Sequence, residues 1–112
     1  MDVSKRQVGD VTILDLKGKI TIGTGDAQLR AAVQDALSSG ASKVLINMAG
    51  VTTIDSSGIG ELVSAYTTTT SRGGKLKLFN LPAKVTDILM ITQLITVFEV
   101  FDSEQEAVES FA

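Results

Sequence analysis

Residues Lys43 to Met48 read Lys-Val-Leu-Ile-Asn-Met, an apolar run with no polar alternation. A strand of that kind has to be covered on both faces, which is the habit of central strands in α/β sheets. A helical pattern follows soon after, with Ile59, Leu62, Val63 and Tyr66 sharing one face. Applied along the chain, the same reading orders the elements as strand, strand, helix, strand, helix, strand, helix, strand, helix. Strands alternating with helices imply right-handed crossovers and a mainly parallel sheet, here of about five strands with four helices. The first two strands, Val3–Val8 and Val11–Leu16, are joined by Gly9-Asp10, a two-residue hairpin signal. Lys5, Arg6 and Gln7 make the first of them a wet, antiparallel edge. A chain of 112 residues has room for one core, so a single domain over residues 1–112 is expected.

The remaining segments are read from their punctuation. Gly18 to Gly25 holds three glycines in eight residues, but no Gly-Lys-Ser/Thr closes it, so it reads as a flexible connection and not as a phosphate loop. Asp26–Leu37 is a helix with Leu29, Ala32, Val33, Ala36 and Leu37 as its apolar stripe, capped by Thr24 or Asp26 and ended by Ser38-Ser39-Gly40. A second helix runs from about Ser57 to Ser71, and its four threonines, Thr67 to Thr70, read as a tolerated surface. Arg72-Gly73-Gly74 stops it. Lys75–Phe79 alternates like a strand with its lysines toward solvent, and Pro82 suits the first position of a third helix. Val97–Phe101 is a short last strand. Ser103 and Glu106 form a capping box for a closing helix through Phe111.

Composition excludes several chemistries. The chain has no His and no Cys, so a Ser-His-Asp triad, a His-ligated metal site and a disulfide framework are out of reach. Net charge is −3 with Lys and Arg scattered, which argues against direct contact with nucleic acid. No apolar run approaches the roughly 20 residues of a membrane span, and the N-terminus lacks a signal-peptide core. The absence of Cys is compatible with a reducing cytoplasm.

Chemistry concentrates in Ile54-Asp55-Ser56-Ser57-Gly58-Ile59-Gly60, between the central strand and the second helix. Ser and Asp are favoured there because their oxygens accept from the first free N–H groups of a helix. The same donors, with the helix dipole behind them, seat an anion such as a phosphate. The residues alone leave two readings, a plain cap and a cap that doubles as a phosphorylation site. Gly58 and Gly60 favour the second, since Gly costs about 1 kcal/mol against Ala inside a helix and leaves the backbone open to another molecule.

This stretch resembles the signature of STAS domains of the anti-sigma factor antagonist type, and the order of the other elements fits over nearly the whole chain. The resemblance implies a β/α superhelix with its helices mainly on one side of the sheet. It places phosphorylation on Ser57, supported by Asp55, Ser56 and Gly58. It puts a partner surface on the neighbouring loop, Thr21, Ile22, Gly23 and Thr24, together with Ile59 and Gly60. Many members carry an Asp shortly after the Gly of that loop, whereas this chain has Ile20-Thr21-Ile22. The implied protein is a monomeric cytoplasmic regulator without a cofactor or catalysis of its own. Unphosphorylated, it binds an anti-sigma factor of the serine-kinase type and frees a sigma factor; a serine phosphatase resets it. Two other classes stay open: a STAS scaffold or transporter-associated subunit without phosphate switching, and a hydrolase with Ser57 as nucleophile. The hydrolase lacks both a His and the Gly-x-Ser-x-Gly elbow.

Overall fold

The computed structural model describes residues 1–112. Its elements are β1 (Asp2–Val8), β2 (Val11–Ile20), α1 (Asp26–Ser38), β3 (Lys43–Ile54), α2 (Ser56–Ser71), β4 (Lys75–Phe79), α3 (Ala83–Ile91), β5 (Val100–Phe101) and α4 (Glu104–Glu109), with a 3-10 turn at Leu94–Thr96. The five strands lie side by side in chain order, β1 antiparallel to β2 and every later pair parallel. Gly9 turns the hairpin with φ +61°. This is the expected single α/β domain.

Each face of the sheet buries its own cluster. On one, Leu14, Leu16, Val44, Ile46, Met48, Leu76 and Leu78 meet Leu29 and Val33 of α1, Leu62 of α2, and Val85 and Leu89 of α3. On the other, Val11, Ile13, Leu45 and Phe79 pack under Ala107 and Phe111, at the end of the chain. Three helices therefore cover one side and the short α4 covers part of the other. Beyond α4 the second face is polar: Arg6 donates to both oxygens of Asp15 and also to Glu104, and Asn47 donates to Asp15 at 2.8 Å. Arg6 holds the Asp15 carboxyl below its usual range, opposed by burial.

Several boundaries differ from those expected. β2 runs on to Ile20 and β3 to Ile54, so the supposed connection after Leu16 is partly strand. The cause lies in two register shifts in the β2–β3 pairing, between Asp15 and Lys17 and between Gly18 and Lys19. Each inserts an extra residue into β3 and resets its phase. In the later half of β3 the buried side chains accordingly fall at Met48, Val51 and Ile54, three apart, a spacing that does not read as a strand. At the far end the last strand is only Val100–Phe101, because Leu94–Thr96 turns and Phe98 enters the core. Pro82 sits just before α3 as its N-cap residue, not inside it.

Burial corrects two further expectations. Lys77 does not face solvent; it is 6% exposed because α4 covers its side of β4. Its ammonium donates to the carbonyl and hydroxyl of Ser110, both at 3.0 Å, pairs with Glu99 at 2.8 Å, and lies 4.6 Å from the ring centre of Phe111. A buried cation is tolerable when its donors are filled and a ring faces it. Thr69, within the supposed surface of threonines, is wholly buried.

Candidate phosphorylation and partner site

Two parallel βα units set the geometry. β2 and β3 end beside one another at Ile20 and Ile54, which are register partners, so the loops leading into α1 and α2 start from adjacent points on the same edge. In parallel sheets, functional loops gather beyond these carboxyl ends.

Asp55 holds the junction together. Lying just before α2 with an extended backbone, it accepts the Gly58 N–H on Oδ1 and the Ile22 N–H on Oδ2, each at 3.0 Å. One oxygen caps the helix and the other ties down the neighbouring loop. Its own N–H donates to the Ile20 carbonyl at 3.3 Å. Hydrogen bonds from the Gly58 and then the Ile22 amide hold its carboxyl below the usual carboxylate range, as expected where N–H groups favour the charged form.

With Asp55 capping, neither serine hydroxyl is needed for it. Ser56 and Ser57 are the first two residues of α2; Ser56 is exposed and Ser57 half-buried. Ser57 thus lies in the first turn of α2 and is partly open to solvent. Gly58 is a packing residue: a Cβ there would stand 2.1 Å from the Ile20 carbonyl oxygen, so only glycine lets α2 approach β2 this closely. Gly60 is its opposite, exposed with nothing near an added Cβ. Ile59 is 6% exposed in the main core, which corrects its expected place on a docking surface; its helical phase points it at the sheet.

The loop is a tight turn. Thr24 donates to the Thr21 carbonyl at 2.9 Å and Thr21 donates to Thr24 at 2.7 Å, with Gly23 at φ +74°. Ile22, at its tip, is 76% exposed. Gly25, at φ +89°, starts α1 without a side-chain cap, so neither Thr24 nor Asp26 serves there; Asp26 accepts only from the next residue, Ala27. A Cβ on Gly25 would lie 2.0 Å from the Lys19 carbonyl oxygen. Arg30 of α1 forks onto Glu61 of α2, locking the two helices side by side.

The sequence pointed to Asp55 as a helix cap and to the Thr21–Thr24 loop as a neighbour. It did not show that one carboxylate joins them, since a hydrogen bond across 33 residues leaves no local pattern. No group of three or more His, Cys, Asp and Glu side chains is placed to hold a metal ion, and no helix is long and apolar enough to cross a membrane.

Comparisons with known proteins agree with this architecture. A Thermotoga neapolitana protein, provisionally named an anti-sigma factor antagonist, is 28% identical over 102 residues, covering 91% of this chain and 90% of its own. The crystal structure of a Thermotoga maritima protein with the same provisional name is similar at TM-score 0.88 and 28% identity, over 96% of this chain and 92% of the other. The Bacillus cell fate determinant SpoIIAA in its phosphorylated form shares the fold at TM-score 0.76 and 19% identity, over 99% and 100% of the two chains. The family model of the STAS domain matches residues 2–107, and the chain belongs to that family.

Proposed function

We propose that this chain is an anti-sigma factor antagonist that works by partner switching on Ser57. Unphosphorylated, it binds an anti-sigma factor of the serine-kinase type and releases the sigma factor that kinase holds. The kinase, with its own ATP and Mg²⁺, transfers the γ-phosphoryl group to Ser57 Oγ; ADP leaves and the hydroxyl proton passes to a base on the kinase. The complex then ends, and a serine phosphatase hydrolyses the phosphate to reset it.

The observation that carries this reading is the division of labour at the start of α2. Asp55 supplies the cap, which leaves the Ser57 hydroxyl free at a half-exposed helix N-terminus. The names of the two Thermotoga relatives support the antagonist role, and the Bacillus neighbour shows that a protein of this fold exists in a phosphorylated form.

A phosphate adds about −1.5 to −2 charges at pH 7. At a helix N-terminus it is favoured by typically 0.3–1 kcal/mol, so the domain keeps its shape. Glu61 adds little repulsion because Arg30 already pairs with it; the carboxylate that feels the new charge is Asp55. In the complex the phosphate crowds an interface built for a small hydroxyl. Burying that charge without a partner there costs several kcal/mol, more than a hundredfold in affinity.

Incubation with the anti-sigma kinases of the source organism and ATP, followed by mass spectrometry, should place one phosphate on Ser57. Ser57→Ala should bind the kinase and take up none, and Ser57→Asp should stay folded and bind poorly. A phosphate on Ser56 or on Thr67 to Thr70 defeats the site assignment, and tight binding by Ser57→Asp defeats the mechanism. Recovery of membrane-transport subunits with no kinase would point instead to a non-switching STAS subunit.

A further inference from the structure

Ile22 is an unusual residue for the tip of a tight turn, where Gly, Pro, Asn, Asp and Ser dominate. Scattered exposed apolar side chains are ordinary on a protein surface, and exposure alone would carry nothing. Ile22 differs in how firmly it is held. The turn is closed by hydrogen bonds in both directions between Thr21 and Thr24, at 2.7 and 2.9 Å. Gly23 takes the positive φ of +74° that the second corner of a type II turn requires. The Ile22 N–H, which a simple turn would leave to water, is fastened to Asp55 Oδ2 at 3.0 Å, two residues before Ser57. A β-branched side chain, restricted at χ1, on a backbone held by three hydrogen bonds has its direction set before any partner arrives.

The surroundings say what such a partner must look like. Thr21, Thr24, Ser56, Ser57 and Gly60 are uncharged; of the carboxylates beside the turn, Asp55 spends both oxygens on backbone amides and Asp26 accepts the Ala27 amide on one. The charged pair on α1 and α2, Arg30 and Glu61, is closed on itself. The patch is thus an apolar knob in a rim of hydroxyls, with its carboxylates hydrogen-bonded to backbone amides. Its complement is an apolar pocket ringed by hydrogen-bonding groups. Fully desolvated apolar anchors at the centre of such a rim concentrate binding energy, and preorganisation lowers the cost of ordering them.

We infer that Ile22 is the anchor of the partner interface, inserted into an apolar pocket of the anti-sigma kinase, and that Asp55 is the residue that presents it. This rests on the function proposed above and adds the chemistry of the contact. Ile22 touches no transferred atom, so it acts on binding and leaves phosphoryl transfer alone.

The test is isothermal titration of the unphosphorylated chain into the anti-sigma kinase of the source organism that binds the wild type most tightly. Ile22→Ala should weaken binding about thirtyfold or more, as truncation of an interface anchor does. Ile22→Val should weaken it about fourfold, the share of one buried methylene, and Ile22→Leu should stay close to wild type. In steady-state phosphorylation of Ser57, Ile22→Ala should raise KM with kcat unchanged. Because the side chain is exposed, the variants should melt with the wild type. Wild-type binding with Ile22→Ala within twofold of it overturns the inference and leaves the proposed function standing, as does a loss that appears in kcat alone. If none of the organism's anti-sigma kinases binds or phosphorylates the wild type, the proposed function fails and the anchor falls with it.

Discussion

The two ends of α2 are built from similar residues and put to opposite uses. Its N-terminal end holds Ser56, Ser57, Gly58 and Gly60; its C-terminal end holds Thr67 to Thr70 and Ser71, followed by Gly73 and Gly74. At the start the hydroxyls are exposed or half-buried, and a carboxylate does the capping. At the end Thr69 is wholly buried and its hydroxyl has no partner. Glycine splits in the same way. Gly58 and Gly74 let backbones approach, a Cβ on Gly74 standing 2.7 Å from the Ser42 carbonyl oxygen, whereas Gly60 and Gly73 face open space. Residue type therefore does not separate a reactive end from a packed one; what each hydroxyl and Cα faces does.

The sharpest way to break this contrast is Gly58→Ala. Its Cβ would collide with the Ile20 carbonyl, a backbone atom that cannot swing away. A loss of about 3 kcal/mol or more is expected from such overpacking, read as a lower urea midpoint. Gly60→Ala, two residues on, meets nothing and should gain up to about 1 kcal/mol from helix propensity. If the two variants shift stability in the same direction, the assignment of Gly58 to packing and Gly60 to open surface is wrong.

At the other end, Thr69→Val replaces a buried hydroxyl without a partner by a methyl of similar shape. Removing that unsatisfied group should stabilise the fold by about 1 kcal/mol, whereas the same change at exposed Thr70 should do almost nothing. A destabilised Thr69→Val would mean that the hydroxyl is hydrogen-bonded in solution.

The smallest expected effect is electrostatic. The Asp55 carboxyl is held below its ordinary value by the Gly58 and Ile22 amides. A carboxyl with a depressed folded-state value stabilises the fold above its unfolded value of about 3.9, and that contribution is lost as pH falls through the lower, folded one. Between neutral pH and about pH 5, Asp55→Asn should track the wild type with a constant small deficit; in more acid solution the two should converge. Two-dimensional NMR should show the Ile22 and Gly58 amide resonances moving together over that acid range. Independent movement would mean that Asp55 does not join the two segments.

Much of the architecture was legible because the relevant patterns are local. The element order, the Gly9 hairpin, the α1 stripe and the Asp55 cap each depend on residues a few positions apart. The capping of α4 was only half so: Ser103 accepts the Glu106 N–H at 3.2 Å, but it is the length of the helix, ending at Glu109, that context trimmed. The later half of β3 was hidden for a definable reason, since two bulges broke the alternation by which a strand is read.

The amino-acid sequence by itself determined the α/β class, the place of the Asp-Ser-Ser-Gly turn at a helix start, and the absence of any His or Cys chemistry, because composition and short-range periodicity depend on no distant partner. Tertiary structure alone decided that Asp55 reaches 33 residues back to Ile22, that Lys77 is sheltered by Ser110 and Phe111, and that Thr69 is buried while Ser57 is not. Each of those depends on which surface packs against the residue from elsewhere in the chain. Burial and long-range hydrogen bonding are properties of that pairing, and no residue carries them in its own identity.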